Sequence, residues 1–179
     1  HRRVVRAAGR RIFEPAWVSH AEAVSWPGEA GDVHGWYYAP VNPSVERVET
    51  AGSVVEPVET PPLIVTSHGG PTAFSSCGFD LGVQFWTTRG FGVLDVNYSG
   101  SSGYGRDYAV RLHGRWGELD VADCIAGARF LAETGRVDGA RLAIRGGSAG
   151  GYTTLRALTT SDAFAAGCSR YGIGDLTAL

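Results

Sequence analysis

The residues best suited to chemistry lie in one stretch, Leu142-Ala143-Ile144-Arg145-Gly146-Gly147-Ser148-Ala149-Gly150-Gly151-Tyr152. A serine stands between glycines in the pattern Gly146-x-Ser148-x-Gly150. An apolar run of strand type precedes it, and Thr153-Thr154-Leu155-Arg156-Ala157-Leu158 reads as a helix after it. This is the pattern of a nucleophile elbow, in which a strained strand-to-helix turn presents a serine hydroxyl for attack. The glycines have a steric reason: such a turn brings strand and helix so close that a side chain would clash. The start of the helix lies beside the serine, so backbone N–H groups and the helix dipole face any oxyanion that develops. With 26 glycines in 179 residues, the bland alternative is a glycine-rich turn around an ordinary serine. The strand before and the helix after favour the elbow.

The elements that must position this serine are read from patterning. Ala23-Val24-Ser25-Trp26 is a short first strand stopped by Pro27-Gly28, and residues 33–39 are an aromatic-rich second strand ended by Pro40. His34 lies in that strand and is read as structural. Leu63-Ile64-Val65-Thr66-Ser67 is an apolar strand of parallel-sheet type that runs into His68-Gly69-Gly70-Pro71. Residues 80–89 read as a helix closed by Gly90, and residues 92–97 as another buried strand. A glycine–serine loop over 98–105 follows, then a short helix over 106–112. In residues 119–134, Val121, Cys124, Ile125, Ala128 and Leu131 recur at helical spacing, and Gly135 caps the end. Residues 141–145 are the strand of the elbow, and 165–171 are a last strand. Strands alternating with helices imply a mainly parallel sheet covered on both faces. Ligands bind such sheets beyond the carboxyl ends of the strands. The glycine-rich loops 68–71, 97–105 and 146–151 all follow strands and are expected to converge on one edge.

Composition narrows the partners. At 179 residues and 44% hydrophobic, the chain is expected to bury one real core. A net charge of −2 lacks the electrostatic footprint of a nucleic-acid binder. No apolar run approaches the roughly 18 residues of a membrane span. The start, His1-Arg2-Arg3-Val4-Val5-Arg6, is basic without the apolar stretch of a secretory signal. The chain contains no methionine, which suggests a piece of a longer protein. Cys77, Cys124 and Cys168 are odd in number and form no C-x-x-C pair, so reduced thiols in a cytoplasmic protein are expected. Cys124 and Cys168 are read as small core residues. Residues 1–22 show no periodicity and are assigned as a linking segment. Residues 41–62 differ from the rest: Val45-Glu46-Arg47-Val48-Glu49-Thr50 is echoed by Val55-Glu56-Pro57-Val58-Glu59-Thr60. The alternation would suit an exposed hairpin, but the prolines and acidic charge favour a surface insertion without chemistry.

Four motifs in register, His68-Gly69-Gly70-Pro71, residues 97–105 (NYSGSSGYG), residues 116–123 (WGELDVAD) and Gly146-Gly147-Ser148-Ala149-Gly150-Gly151, resemble the catalytic domain of the prolyl oligopeptidase family of serine peptidases. The branch they are most similar to comprises acylaminoacyl-peptidases and dipeptidyl-aminopeptidases. The resemblance covers roughly residues 20–175. It implies an α/β-hydrolase fold, a mostly parallel sheet with helices on both faces, here lacking the C-terminal strands and without the propeller domain that precedes this one in the family. It implies Ser148 as nucleophile and the Ala149 N–H as one oxyanion donor, with the Gly70 N–H as the second. His68 and Gly69 fall in the oxyanion loop, and Tyr98 in the loop that completes the binding surface. His68 invites a reading as general base, but the family places it in the oxyanion loop. Short peptides are the implied substrate, with no metal and no cofactor. Asp120 and Asp123 are read as carboxylates capping free N–H groups at a helix start, a metal pair being the lesser alternative. The family often has arginine where this chain has Ser99, and the valine–glutamate repeat is foreign to it.

The triad order of this fold is Ser, then Asp or Glu, then His. The 31 residues after Ser148 contain no histidine, and their acids are Asp162 and Asp175. Asp162 reads as surface and Asp175 as a weak candidate for the acid. The chain alone is therefore expected to be a poor enzyme, with residues 165–171 left as an exposed apolar edge. Two other readings stand beside the peptidase: a carboxylesterase of the same fold, and a non-catalytic remnant.

Overall fold

The computed structural model describes residues 14–41 and 60–178. The valine–glutamate repeat and the basic start lie outside the described residues. A short 3-10 turn, Pro15–Trp17, leads into a six-stranded sheet. Its strands are β1 (Glu22–Gly28), β2 (Gly31–Tyr38), β3 (Leu63–Ser67), β4 (Gly92–Asn97), β5 (Leu142–Gly147) and β6 (Ala166–Arg170). The helices are α1 (Leu81–Thr87), α2 (Arg106–Val110), α3 (Leu119–Glu133) and α4 (Ala149–Thr160).

Spatial order is β1-β2-β4-β3-β5-β6. The last four positions, β4, β3, β5 and β6, pair in parallel, whereas β1 and β2 form an antiparallel hairpin laid against β4. The sheet is thus mixed and mostly parallel. Pro27 does not stop β1, as its sequence suggests, but pairs with Asp32 inside the strand. Only β2 adjoins β1 among the described residues, and on such an edge the missing proline N–H breaks no ladder.

Alternation along the central strands sends side chains to two covered faces. Leu63, Val65, Leu94, Val96 and Ile144 join Trp26, Cys124, Ala128 and Leu131 in the larger core, beneath α3 and α4. Val93 and Tyr38 face the other way, onto Val83 and Trp86 of α1. Asp80 starts α1 by accepting the Val83 N–H at 3.0 Å. Gly135, at φ +71°, ends α3: its N–H meets the Ala132 carbonyl, and the Arg136 N–H meets that of Leu131. This crossed pair is a Schellman motif, which needs a left-handed residue there.

Two further expectations are corrected. Cys124 is buried, but Cys168 is exposed, because it lies on β6 at the sheet margin. Residues 166–170 are indeed exposed, yet they are Ala-Gly-Cys-Ser-Arg and not an apolar edge. The elbow helix begins at Ala149, directly beside the serine as expected, and runs on through residues 153–158 to Thr160. Among the described residues, no helix is long and apolar enough to cross a membrane, and no group of three or more His, Cys, Asp or Glu side chains is placed to hold a metal.

Candidate active site

The three glycine-rich loops meet at the carboxyl ends of β3, β4 and β5. Ser148 is the whole turn between β5 and α4. Its backbone sits at φ 55°, ψ −122°, a region that non-glycine residues rarely occupy. Its side chain is exposed while Ala149 and Gly150 beside it are buried. The Ser148 N–H donates to the Arg170 carbonyl at 3.1 Å, and its own carbonyl accepts the first helical bond from Tyr152 at 3.1 Å. Every backbone group of Ser148 is thereby used, and its hydroxyl is left facing a cleft. The Ala149 N–H belongs to the first turn of α4, where a helix has no internal acceptors to offer.

Close approach explains the elbow glycines. A β-carbon on Gly150 would stand 2.7 Å from the His68 carbonyl oxygen, and one on Gly146 would stand 2.5 Å from Ser67 Oγ. The Ser67 hydroxyl uses this proximity and donates to the Gly150 carbonyl at 2.9 Å, tying the end of β3 to the start of α4. The loop after β3 then bends over the serine. A β-carbon on Gly69 would lie 3.6 Å from Ser148 Cβ. The cleft these loops bound measures about 500 Å³, and its walls include Ser148, His68, Gly69, Gly147, Arg145 and Tyr171.

His68 does not reach Ser148. Its Nδ1 lies 2.8 Å from the Gly69 carbonyl oxygen and its Nε2 lies 2.7 Å from Ser101 Oγ. Burial lowers its pKa, which favours the neutral ring. A carbonyl only accepts, so Nδ1 carries the proton and Nε2 is the acceptor. Ser101 Oγ also lies 2.6 Å from the Tyr98 carbonyl, so its single proton serves two acceptors. Both nitrogens are occupied away from the serine, which is the arrangement of a loop fastener and not of a general base. The Gly69 carbonyl and the Gly70 N–H belong to one planar peptide and point oppositely. Fixing the carbonyl with His68 therefore fixes the direction of the Gly70 N–H.

Tyr98 is fully buried. Its ring stacks on His68 at 4.2 Å, and its hydroxyl donates to the His68 carbonyl at 3.0 Å. It supports the loop from below rather than lining the cleft. Asn97 fastens the same loop further on, accepting the Ser75 N–H at 2.6 Å and donating to the Ser75 carbonyl at 3.0 Å. Ser101 and Asn97 were not singled out in the sequence. Their only signal was membership in the 97–105 motif, which starts at the last residue of β4 and runs into the loop after it.

The remaining acids sort clearly. Asp162 is exposed, as read. Asp175 is exposed too, and its Oδ1 accepts from the Thr177 N–H and hydroxyl at 2.8 and 2.7 Å, bonds that lower its pKa. Asp120 and Asp123 are both fully buried. Asp120 accepts the Gly117 N–H at 2.6 Å, close to the capping role read from sequence. Asp123 caps nothing in its own helix: Oδ2 accepts the Ser99 N–H at 2.7 Å, from the loop after β4. His34 is held by Ser25 at 2.8 Å and stacks on Tyr104, as a structural histidine does.

The sequence model of the prolyl oligopeptidase family matches residues 77–179. The chain is 40% identical over 119 residues to dipeptidyl aminopeptidase BIII of Pseudoxanthomonas mexicana, a match covering 66% of this chain and 17% of that protein. Among solved structures, a Mycobacterium tuberculosis puromycin-hydrolyzing peptidase superposes with a TM-score of 0.84 at 46% identity, over 94% of this chain and 25% of that one. An acylaminoacyl peptidase solved in complex with Z-Gly-Gly-Phe-chloromethyl ketone superposes with a TM-score of 0.72 at 32% identity, over 87% of this chain and 24% of that one. The chain thus spans about a quarter or less of the length of these relatives.

Proposed function

Because the chain belongs to the prolyl oligopeptidase family, we propose that it carries the nucleophile and oxyanion half of a serine peptidase acting on short peptides. The observation that carries this reading is Ser148, exposed on a positive-φ turn with the glycine loop of β3 folded against it. The Ser148 hydroxyl gives its proton to a base and its oxygen bonds the peptide carbonyl carbon, the carbonyl oxygen becomes an oxyanion, and collapse breaks the C–N bond, the amine leaving with that proton and an acyl-enzyme remaining. The Ala149 and Gly70 N–H groups receive the oxyanion, and donors of this kind are each worth about 10²–10³ in kcat. No metal or cofactor enters the scheme.

The base is assigned elsewhere. His68 is engaged by Gly69 and Ser101, and the residues after Ser148 hold no histidine. We assign the base and its acid to the longer protein, beyond residue 179, and expect this chain by itself to be weak or inactive. Residues 23–179 then form part of the catalytic domain. The three free cysteines suit a cytoplasmic protein.

The test uses the full-length protein. A fluorophosphonate probe is expected to label Ser148, found by peptide mapping, and Ser148→Ala to abolish both labelling and hydrolysis of a dipeptidyl anilide. Faster turnover of a short acyl ester than of the anilide would move the reading to an esterase. Absence of labelling and of either turnover would leave only a non-catalytic remnant.

A further inference from the structure

Two carboxylates one turn apart on α3 reach the two halves of the site separately. Asp120 Oδ2 accepts the Thr153 hydroxyl at 2.5 Å, and Thr153 lies in the second turn of α4, the helix that Ser148 opens. Its Oδ1 holds the Gly117 N–H, and the tight turn at Gly117 itself presses on α4: a β-carbon there would meet Tyr152 Oη at 2.7 Å. Asp123 Oδ2 holds the Ser99 N–H, two residues before the serine that meets His68 Nε2. The start of α3 is itself anchored, since Trp26 Nε1 donates to the Asp123 carbonyl, in the second turn, at 3.1 Å.

We propose that Asp120 and Asp123 are positioning residues, which together make the start of α3 a brace setting the nucleophile helix against the oxyanion loop. This rests on the peptidase reading of Ser148. Both side chains are fully buried, so water does not compete for their bonds. Asp123 Oδ1 makes no hydrogen bond within ordinary limits, although the Ser99 hydroxyl lies beside the carboxylate. A buried carboxylate with one oxygen unsatisfied is a costly way to stabilise a fold. What the charge adds is a short, directed bond to the Ser99 N–H. Through Ser99 it orients Ser101, then His68, then the Gly69–Gly70 peptide whose N–H receives the oxyanion. Neither aspartate touches substrate. Each acts through the group it holds, so its loss registers where charge develops and not where substrate is first bound.

The experiment compares full-length wild type with Asp123→Asn and Asp120→Asn. Each is expected to lower kcat about 10- to 100-fold, a fraction of a complete oxyanion donor, with KM within about twofold. A peptide boronate, which forms an anionic adduct on Ser148, is expected to lose affinity by the same factor as kcat. Equal losses in kcat and 1/KM, or none, would overturn the brace. Thr153→Val and Thr153→Ser keep the question open if an aspartate variant does not fold. The valine removes the hydroxyl that Asp120 holds and is expected to lower kcat, while the serine keeps it and retains most of the rate. Equal rates for the two overturn the Asp120 arm. Wild type inert toward probe and substrates overturns the peptidase reading itself, a result distinct from active wild type with unaffected variants.

Discussion

At Ser148 the backbone is held where a β-carbon is crowded, at φ 55° and ψ −122°. Conformations of this kind cost about 1–3 kcal/mol in a non-glycine residue. Glycine would relieve that strain but lose about 0.5–1 kcal/mol through its freer unfolded chain. Ser148→Ala keeps the β-carbon and therefore keeps the strain. We expect Ser148→Gly to be more stable than Ser148→Ala by about 1 kcal/mol, with neither labelled by a fluorophosphonate. Urea midpoints of the two full-length variants check this. A glycine variant that unfolds first would mean that the elbow stores no strain at this residue. Much at this scale was legible beforehand. Gly146 and Gly150 announced a close approach because no other residue type fits one. Asp123 was misread for a physical reason: an acid near a helix start matches a cap, but its partner Ser99 sits 24 residues earlier in another loop. Local spacing carries no trace of that bond.

Among the elements, the junction of β3 with α4 decides whether the site assembles. Gly150 lets the first turn of α4 lie against the last residues of β3, and the atoms a β-carbon would strike, first the carbonyl oxygen of Ser67 at the end of β3 and then that of His68, are backbone. Backbone inside a paired strand does not swing aside as a long side chain does. Gly150→Ala is expected to destabilise the domain by about 3 kcal/mol or more. It should also slow Ser148 labelling, since the displaced helix carries the Ala149 N–H with it. Unfolding midpoints and probe-labelling rates measure the two effects. Wild-type values for both would show that helix and strand are not so tightly opposed. The central strands were readable because strands buried on both faces are continuously apolar, as Leu63–Ser67 is. Strand order and the antiparallel start were not readable. Pairing across β2 and β4 joins residues far apart in the chain, and the hydrophobic pattern of a strand does not say which neighbour it takes.

Over the whole molecule, three desolvated acids set a pH response opposite to that of Asp138 and Asp175, whose bonds lower their pKa. Asp95 and Asp123 are each pushed up to about 6, chiefly by burial, and Asp120 is raised by the same cause. A carboxyl that binds its proton more tightly in the folded state than in the unfolded one stabilises the fold as pH falls. The folded chain holds more protons between the unfolded value, near 4, and the folded value of about 6. Across that window each such group makes stability fall as pH rises, by at most about 1.4 kcal/mol per pH unit. Above the folded value the loss levels off. Asp95 shows this most cleanly, because it stands outside the brace, and the Thr66 hydroxyl and then the Arg145 charge only partly offset its desolvation. Asp95→Asn should therefore gain on wild type steadily from about pH 4 to about pH 6, and hold a constant advantage above it. Urea midpoints of the full-length pair at several pH values across that range make the comparison. A stability difference that does not change with pH would mean that Asp95 titrates alike in the folded and unfolded chain, and that the sheet floor beneath Ser148 is wetter than its packing suggests.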